Sequence, residues 1–175
     1  MSQVLETFLS RNEAYTQHHK PLPPLPSLNT IVVSCIDARI DPAHILGIAP
    51  GEALVIRTAG GRVTEAVEQE VGMIIAMVAK LTGRAPQPKI VLIHHTDCGM
   101  EKFKNAELVT HVSHACGVSQ DYLEQIAIGD HSASLKNDLE KLKNSSYLPN
   151  GLEISGLIYN QSTGRASVDF ANVIS

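Results

Sequence analysis

The chain has 175 residues, of which 43% are hydrophobic and 18% are charged, and its formal net charge at pH 7 is −4. This length and composition indicate one globular domain of ordinary size and exclude a disordered or fibrous chain. Four Tyr, three Phe and no Trp leave little aromatic surface for stacking on bases, and the negative charge disfavours a polyphosphate. No nucleic acid partner is therefore expected.

Three cysteines, Cys35, Cys98 and Cys116, are too few and too unevenly spaced for a disulfide framework. Free or metal-bound thiols are typical of a reducing compartment, so we expect a cytoplasmic protein. The longest apolar stretch, 71–79, is well short of the roughly 20 residues that span a bilayer. Because the N-terminus also lacks a convincing targeting segment, no membrane partner is expected.

The N-terminal segment is predicted to be an arm. Residues 3–17 carry apolar side chains at three-and-four spacing, which is typical of an amphipathic helix. Four prolines within 21–26 predict a stiff, extended connector, although a proline-rich ligand for a partner's groove is the alternative. We prefer the connector, and divide the chain into a helical arm with its connector, 1–26, and a single α/β domain, 27–175.

From residue 30 the pattern changes to short β-branched runs that are followed by loops, at 31–33, 53–56 and 90–93. Runs that are apolar on both faces are typical of buried parallel strands covered by helices. Between the second and third runs, a crossover helix is expected to begin after Thr64 as its cap and to end at Gly83. Its predicted buried stripe consists of Val67, Val71, Ile74, Ile75, Val78 and Leu81.

The C-terminal third predicts a helix and a hairpin. The helix, at about 134–143, has three leucines on one side and charged residues elsewhere, so it should lie on the surface. Alternating residues 152–158 and the run 166–170 flank a turn and predict a hairpin at the sheet edge. The fold class is therefore α/β, with a central, mainly parallel sheet of core order 2-1-3 flanked by helices, an N-terminal arm and a C-terminal edge hairpin.

Residues with metal chemistry follow the first and third predicted strands. In a 2-1-3 sheet these strands are neighbours, and ligands bind beyond their carboxyl ends. Cys35 from one loop and His95 with Cys98 from the other would then converge, and thiolate and imidazole are the ligands that Zn²⁺ prefers. Three protein ligands leave a fourth position for water, which marks a catalytic zinc site, so we expect one zinc ion per chain.

Asp37 and Arg39 lie two and four residues after the first ligand. Arg39 would keep Asp37 ionised, so that its carboxylate accepts a hydrogen bond from the metal-bound water and orients it towards substrate. An ordinary loop salt bridge is the alternative interpretation of this pair. Asp37 could also bind the zinc itself and close the site.

Three segments together resemble the signature segments of the β-class carbonic anhydrases: Cys-Ile-Asp-Ala-Arg (35–39), Val-Ile-Arg-Thr-Ala-Gly-Gly (55–61) and His-His-Thr-Asp-Cys-Gly (94–99). The resemblance covers about residues 30–105. It implies zinc bound by Cys35, His95 and Cys98, a catalytic dyad of Asp37 and Arg39, and an obligate dimer with its active sites near the subunit interface.

The family's His-x-x-Cys spacing selects His95 over His94, which would point to the opposite face of its strand. Thr58 departs from the family pattern, because many members have Asn at this position. The difference leaves the zinc ligands unchanged and affects the side of the site that faces substrate. Gly60 and Gly61 are predicted to let the backbone approach and bind substrate, although a simple strand-to-helix turn also explains them.

The leading functional hypothesis is hydration of CO₂ to bicarbonate by attack of metal-bound hydroxide. The alternative is hydrolysis of carbonyl sulfide, another linear molecule with an electrophilic carbon, at the same zinc site. A less favoured alternative is a non-enzymatic protein with a closed, structural zinc. We expect a homodimer or a dimer of dimers, in which the arms are exchanged between subunits.

Other candidate residues have weaker support. Cys116 is expected to be buried and inert, with a redox role as the alternative. His44, His111, His114 and His131 are candidates for moving protons to buffer. Asp97 is expected either to support a ligand or to cap the following turn.

Overall fold

The structure is a computed structural model that describes residues 2–174. Its centre is a five-stranded sheet of order β2-β1-β3-β4-β5. The first four strands are parallel, and β5 pairs antiparallel with β4 at the edge, which confirms the predicted 2-1-3 core and the terminal hairpin. The strands are β1 Thr30–Cys35, β2 Ala53–Thr58, β3 Lys89–His95, β4 Glu153–Asn160 and β5 Arg165–Ile174.

Six α-helices lie within the described residues, and short 3₁₀ segments follow β2 and β3. The helices are α1 Gln3–Thr16, α2 Pro42–Ile45, α3 Glu65–Thr82, α4 Ala106–Cys116, α5 Gln120–Ile126 and α6 His131–Lys143. The sequence predicted α1, α3 and α6 but not α2, α4 or α5. Among residues 2–174, no helix combines the length and apolar character needed to cross a bilayer.

The main core lies between one face of the sheet and helices α3 and α6. Alternate residues of β1 and their register partners on β3 point into this core, because side chains alternate across a strand. It is built from branched aliphatic side chains, as the β-branched strand runs predicted. Its fully buried members include Ile31, Val33, Ile90 and Leu92 from the strands, Val71 from α3, and Leu135, Leu139 and Leu142 from α6.

Helix α3 has the predicted bounds but differs from its prediction in its capping contact and in one residue of its buried stripe. Thr64 occupies the N-cap position, but its side chain makes no capping hydrogen bond. Gly83 ends the helix with a φ of 67°, as predicted. Leu81, placed in the buried stripe by sequence, is 77% exposed because it continues the exposed row of Met73 and Met77 at four-residue spacing.

Helix α6 begins at His131, three residues earlier than predicted, because the Asp130 side chain accepts a hydrogen bond from the Ala133 amide and caps the helix there. Two predictions about burial, for this helix and for Cys116, are wrong. The leucines of α6 are buried as predicted, but Asp138 on the same helix is also buried, whereas all the charged residues were expected to face solvent. Cys116 is exposed, because it is the last residue of α4.

Helix α1 contacts little else in the described chain. None of its residues is buried, and its large apolar side chains are about half exposed. The connector rejoins the sheet at its end, where the amides of Ser27 and Leu28 donate to the carbonyls of Gly51 and Glu52. The apolar residues of this helix are Val4, Leu5, Phe8, Leu9 and Tyr15.

Candidate metal centre

The ends of β1 and β3 bring Cys35, His95 and Cys98 together at the carboxyl edge of the sheet. One ligand atom from each residue lies within 4.8 Å of the other two, and all three residues are buried. The two cysteines are free thiols with their Sγ atoms 4.0 Å apart. This is the cluster that the sequence predicted, assembled from neighbouring strands.

The imidazole of His95 is oriented for a metal. Its Nδ1 lies 3.0 Å from the Thr96 carbonyl oxygen, so Nδ1 carries the proton and donates. Nε2 is buried and has no hydrogen-bond partner among residues 2–174. A buried nitrogen lone pair without a donor is costly unless it binds a cation, so this atom fits a metal ligand. His94 points to the opposite face, as predicted, with Nε2 3.2 Å from Asp138.

The two thiols titrate unequally. A hydrogen bond from Cys98, with a further contribution from His95, lowers the pKa of Cys35. The same contact raises the pKa of Cys98, because a second thiolate beside the first is unfavourable. A cation between the sulfurs removes this repulsion, and the set of two thiolates and one imidazole suits a borderline-soft divalent metal.

Asp37 and Arg39 form a bidentate ion pair beside the cluster. Arg39 Nε donates to Asp37 Oδ1 at 3.0 Å, and Nη2 donates to Oδ2 at 2.7 Å. The Asp37 amide in turn donates to Cys35 Sγ at 3.3 Å. Arg39 holds the pKa of Asp37 well below its usual range, so this carboxyl is ionised at neutral pH.

Asp97 and Arg57 hold the Asp37–Arg39 pair and its loop in place, a role that the sequence did not predict for either residue. Arg39 Nη1 donates to the Asp97 carboxylate at 2.8 Å, and Nη2 donates to the Asp97 carbonyl at 2.9 Å. Asp97 thus supports the Asp37–Arg39 pair instead of a metal ligand. Its backbone lies in the left-handed region, with a φ of 58°. Arg57 donates to the carbonyls of Cys35 and Asp37, at 3.0 and 2.7 Å, and so fixes the loop after β1.

Glu101 supports the second ligand loop and was missed by sequence reasoning. Its Oε1 accepts hydrogen bonds from the Cys98 amide at 2.8 Å and from His131 Nε2 at 3.0 Å. The signal for Glu101 was its position three residues after the start of a helical turn, as in a capping box. His131, considered as a proton carrier, therefore contacts the metal loop through Glu101.

The Gly60-Gly61 turn packs tightly against the strand ends. Both residues are buried and have φ values of 73° and 68°, a region that favours glycine. A Cβ on Gly61 would lie 2.6 Å from the Ile93 carbonyl oxygen, and one on Gly60 would lie 2.8 Å from Met100 Cγ. Close packing is thus sufficient reason for both glycines, and their contact with substrate stays a prediction.

Thr58, the departure from the family pattern, has a structural contact. Its hydroxyl donates to the Arg62 carbonyl at 2.9 Å and closes the turn that contains both glycines.

A cavity of about 520 Å³ lies at the opposite end of the strands from the metal cluster. Its walls include Ile31 and Leu54 near the strand starts, Ile74 and Val78 on α3, and Pro86. None of the predicted site residues lines it, so the cavity is separate from the metal centre.

A buried cluster of two cysteines and one histidine is placed to bind a metal, and its position beside an ion-paired aspartate at the carboxyl edge of a parallel sheet is typical of an α/β metalloenzyme. A family model described as carbonic anhydrase matches residues 30–166. β-Carbonic anhydrase 1 of Mycobacterium tuberculosis is 30% identical over 93% of this chain and 95% of its own. The chain belongs to the β-carbonic anhydrase family.

A solved structure and a functionally different relative complete the comparison. The crystal structure of carbonic anhydrase from Streptococcus mutans has a TM-score of 0.77 and 34% identity, and covers 96% of this chain and 98% of its own. Carbon disulfide hydrolase of Acidianus is 23% identical over 94% of this chain and 88% of its own. The same family thus contains enzymes named for CO₂ chemistry and for CS₂ chemistry.

Proposed function

We propose that this protein hydrates CO₂ to bicarbonate with a zinc ion bound by Cys35, His95 and Cys98. The observation that carries the proposal is the Nε2 of His95, which has no hydrogen-bond partner in the described part of the chain and lies beside two buried thiols, with all three ligand atoms within 4.8 Å. The relatives at 30% and 34% identity, both carbonic anhydrases, support the same reaction.

The donor set favours zinc. Two thiolates and a neutral imidazole form one of the ligand sets of catalytic zinc sites, in which a fourth position remains open. Zinc bound there supplies Lewis acidity, which makes water nucleophilic near neutral pH.

The protein's own groups orient the reaction. Asp37 is ionised, and we assign it as acceptor of the hydrogen bond from the attacking water, so that an oxygen lone pair faces the carbon of CO₂. Arg39, itself fixed by Asp97, holds the Asp37 carboxylate in this orientation through two hydrogen bonds. We place the backbone of Gly60 and Gly61 on the substrate side of the same site.

Three potential ligands, and not four, come together among residues 2–174, and this supports an enzyme over a closed structural site. A closed site needs a fourth protein ligand, and Asp37 is the candidate. Both carboxylate oxygens of Asp37 accept hydrogen bonds from Arg39, which opposes such a role.

The second candidate function is hydrolysis of a sulfur analogue, carbonyl sulfide or carbon disulfide. The Acidianus relative favours it, although at lower identity than the carbonic anhydrases. All three substrates are linear and present an electrophilic carbon, so the metal ligands do not discriminate between them.

Stopped-flow kinetics on purified protein of known metal content test these functions. We expect about one zinc per chain and turnover with CO₂ that exceeds turnover with either sulfur substrate. A stoichiometric zinc protein that is inactive with CO₂ would overturn the proposal, and activity with only COS or CS₂ would establish the second candidate.

We further propose a homodimer, or a dimer of dimers, in which residues 1–26 act as an arm on the catalytic domain 27–175 of a second copy. The exposed apolar side chains of α1 support this proposal. We propose a cytoplasmic location as well, because three unevenly spaced cysteines are too few for a disulfide framework and suit a reducing compartment.

A further inference from the structure

A buried cluster of charged and polar side chains lies next to the metal centre and has no part in the chemistry proposed above. Arg62, Asp138 and His94 are 2%, 0% and 0% exposed. Asp138 comes from α6, an element that contributes no residue to the metal cluster.

The Asp138 carboxylate is fully hydrogen-bonded. Its Oδ2 accepts from Arg62 Nε at 2.6 Å and from His94 Nε2 at 3.2 Å. Its Oδ1 accepts from Arg62 Nη2 and from Lys141 Nζ, both at 3.2 Å. Burial alone would raise the pKa of Asp138, but these hydrogen bonds outweigh it and keep the carboxyl ionised.

Two of these contacts reach the strand ends that carry the metal ligands. His94 immediately precedes the ligand His95, so its bond to Asp138 fixes the end of β3. Arg62 immediately follows Gly61, whose Cα packs so closely that an added Cβ would lie 3.2 Å from the Cys35 amide nitrogen. The carboxylate therefore holds the segments next to two ligands.

Arg62 also reaches the third side of the centre. Its Nη1 donates to the carbonyl of Ala127. The next residue, Ile128, is fully buried against Cys35 and Cys98. Through Arg62, Asp138 thus fixes the apolar wall behind both thiols.

Stability alone is a weak reason to bury such a cluster. Removing charges from water is costly, and packed apolar residues of similar volume are often as stable as a buried ion pair. Directional hydrogen bonds, in contrast, fix three separate backbone segments relative to one another, which apolar contacts do less strictly.

We propose that Asp138 is a positioning residue for the metal centre, acting through Arg62 and His94 on the geometry of Cys35, His95 and Cys98. This inference rests on the proposed metal site but not on the identity of the substrate. Groups bonded directly to metal ligands affect metal affinity or activity by about 10- to 100-fold in other proteins. Asp138 acts through the neighbours of the ligands, so we expect an effect at the lower end of that range.

The test uses the full-length protein loaded with Co²⁺, whose absorption bands depend on the geometry of its ligands, and with Zn²⁺ for kinetics. Asp138→Asn keeps the side-chain size but removes the charge, and its NH₂ group replaces one of the two oxygens that accept hydrogen bonds from Arg62 and from His94 or Lys141. Arg62→Lys keeps the buried charge but loses the planar guanidinium, which donates to both Asp138 and Ala127.

The control variant is Asp169→Asn. It makes the same Asp-to-Asn change on an exposed residue that also contacts α6, through Ser132.

We expect both cluster variants to show shifted cobalt bands, metal dissociation constants raised about tenfold or more, and a lower kcat per bound metal at temperatures where they are fully folded. Asp169→Asn should match the parent in all three. Since cobalt bands and metal affinity do not involve substrate, an inactive parent would overturn the proposed function and leave this comparison intact.

Unchanged cobalt bands and unchanged activity per bound metal in a folded Asp138→Asn or Arg62→Lys protein would overturn the inference, even if the melting temperature fell. If Asp138→Asn does not fold, Arg62→Lys decides. If neither variant folds, the cluster is structural and the inference is wrong.

Discussion

The metal centre and the N-terminal arm differ in how completely one chain satisfies them. At the metal centre, the three ligands are buried and the surrounding carboxylates of Asp37 and Asp97 have partners within the same chain. In α1, by contrast, no residue is buried and the apolar side chains face outwards. One chain therefore brings the metal-cluster residues and their hydrogen-bond partners together, whereas the apolar side chains of the arm stay exposed in a single chain.

This difference gives the two regions different expected responses to dilution. A change at the metal centre should act on each chain separately, so its effect should not depend on protein concentration. A change in the arm should act through association and should grow as the protein is diluted.

Replacing a thiolate ligand is expected to have the largest effect. Cys98→Ser should lose the metal and lower activity by roughly 10³-fold or more at every protein concentration, because a hydroxyl is a poor zinc ligand at neutral pH. Cys116→Ser is the matched control, since this thiol is exposed and outside the cluster. Metal analysis and stopped-flow assays measure both variants, and full zinc with full turnover in Cys98→Ser would refute the ligand assignment.

Asp37→Asn tests the dyad without touching a ligand. The amide keeps the shape but loses the charge that Arg39 holds, so we expect normal metal content and activity lowered by roughly 10²-fold. Asp121→Asn provides the control, because it makes the same change on an exposed residue of α5. A parent-like rate for Asp37→Asn would reduce the dyad to a loop salt bridge.

Removing the arm should give a smaller effect that depends on concentration. Burial of each large apolar side chain of α1 on a second subunit contributes about 1.5–3 kcal/mol, so deleting 1–26 should shift the dimer towards monomer. Light scattering and turnover over a dilution series into the low micromolar range measure this. A truncated protein that stays a fully active dimer throughout would contradict arm exchange.

A single substitution sharpens the same test. Phe8→Asp places a charge in the apolar stripe of α1 and should weaken the dimer by about tenfold or more. Thr7→Asp adds the same charge on the neighbouring exposed residue and should have less effect. Equal dimer dissociation constants for the two variants would show that the stripe is not the contacting face.

The smallest expected effect is on the free energy of unfolding at acid pH. Because the pKa of Asp138 is lower in the folded protein, its ionised form stabilises the fold above the unfolded carboxyl pKa of about 4, and this contribution disappears as pH falls. The difference in unfolding free energy between parent and Asp138→Asn should therefore narrow below about pH 4. Urea unfolding of chelator-treated protein measures it, and a difference independent of pH would contradict the assigned ionisation.

The parts of this fold with a local signal were predictable. The β-branched runs at 31–33 and 90–93 predicted strands because such runs bury both faces, and Cys35 and His95 follow from the positions of those strand ends. Helix α4 had a weaker signal, since Val109 is the residue of α4 that is buried in the described structure. Sequence periodicity detects a helix only where one face is consistently apolar.

Asp138 shows what local patterns omit. It lies within the leucine face of α6, although a charged residue in a helix ordinarily indicates a solvent-exposed position. Its burial depends on Arg62, 76 positions away, and on His94, 44 positions away. No local pattern contains these partners, because only the folded topology brings them together.

The separation of the ligands along the chain also sets an order of events in refolding. Cys35 and Cys98 are 63 positions apart, and they meet only when β1 pairs with β3 across the connection that contains β2 and α3. The unfolded chain therefore holds no preformed site, and tight capture of the ion reports that the crossover has closed. We expect metal uptake during refolding to lag behind helix formation, so that time-resolved cobalt absorbance records the moment when the two halves of the sheet meet.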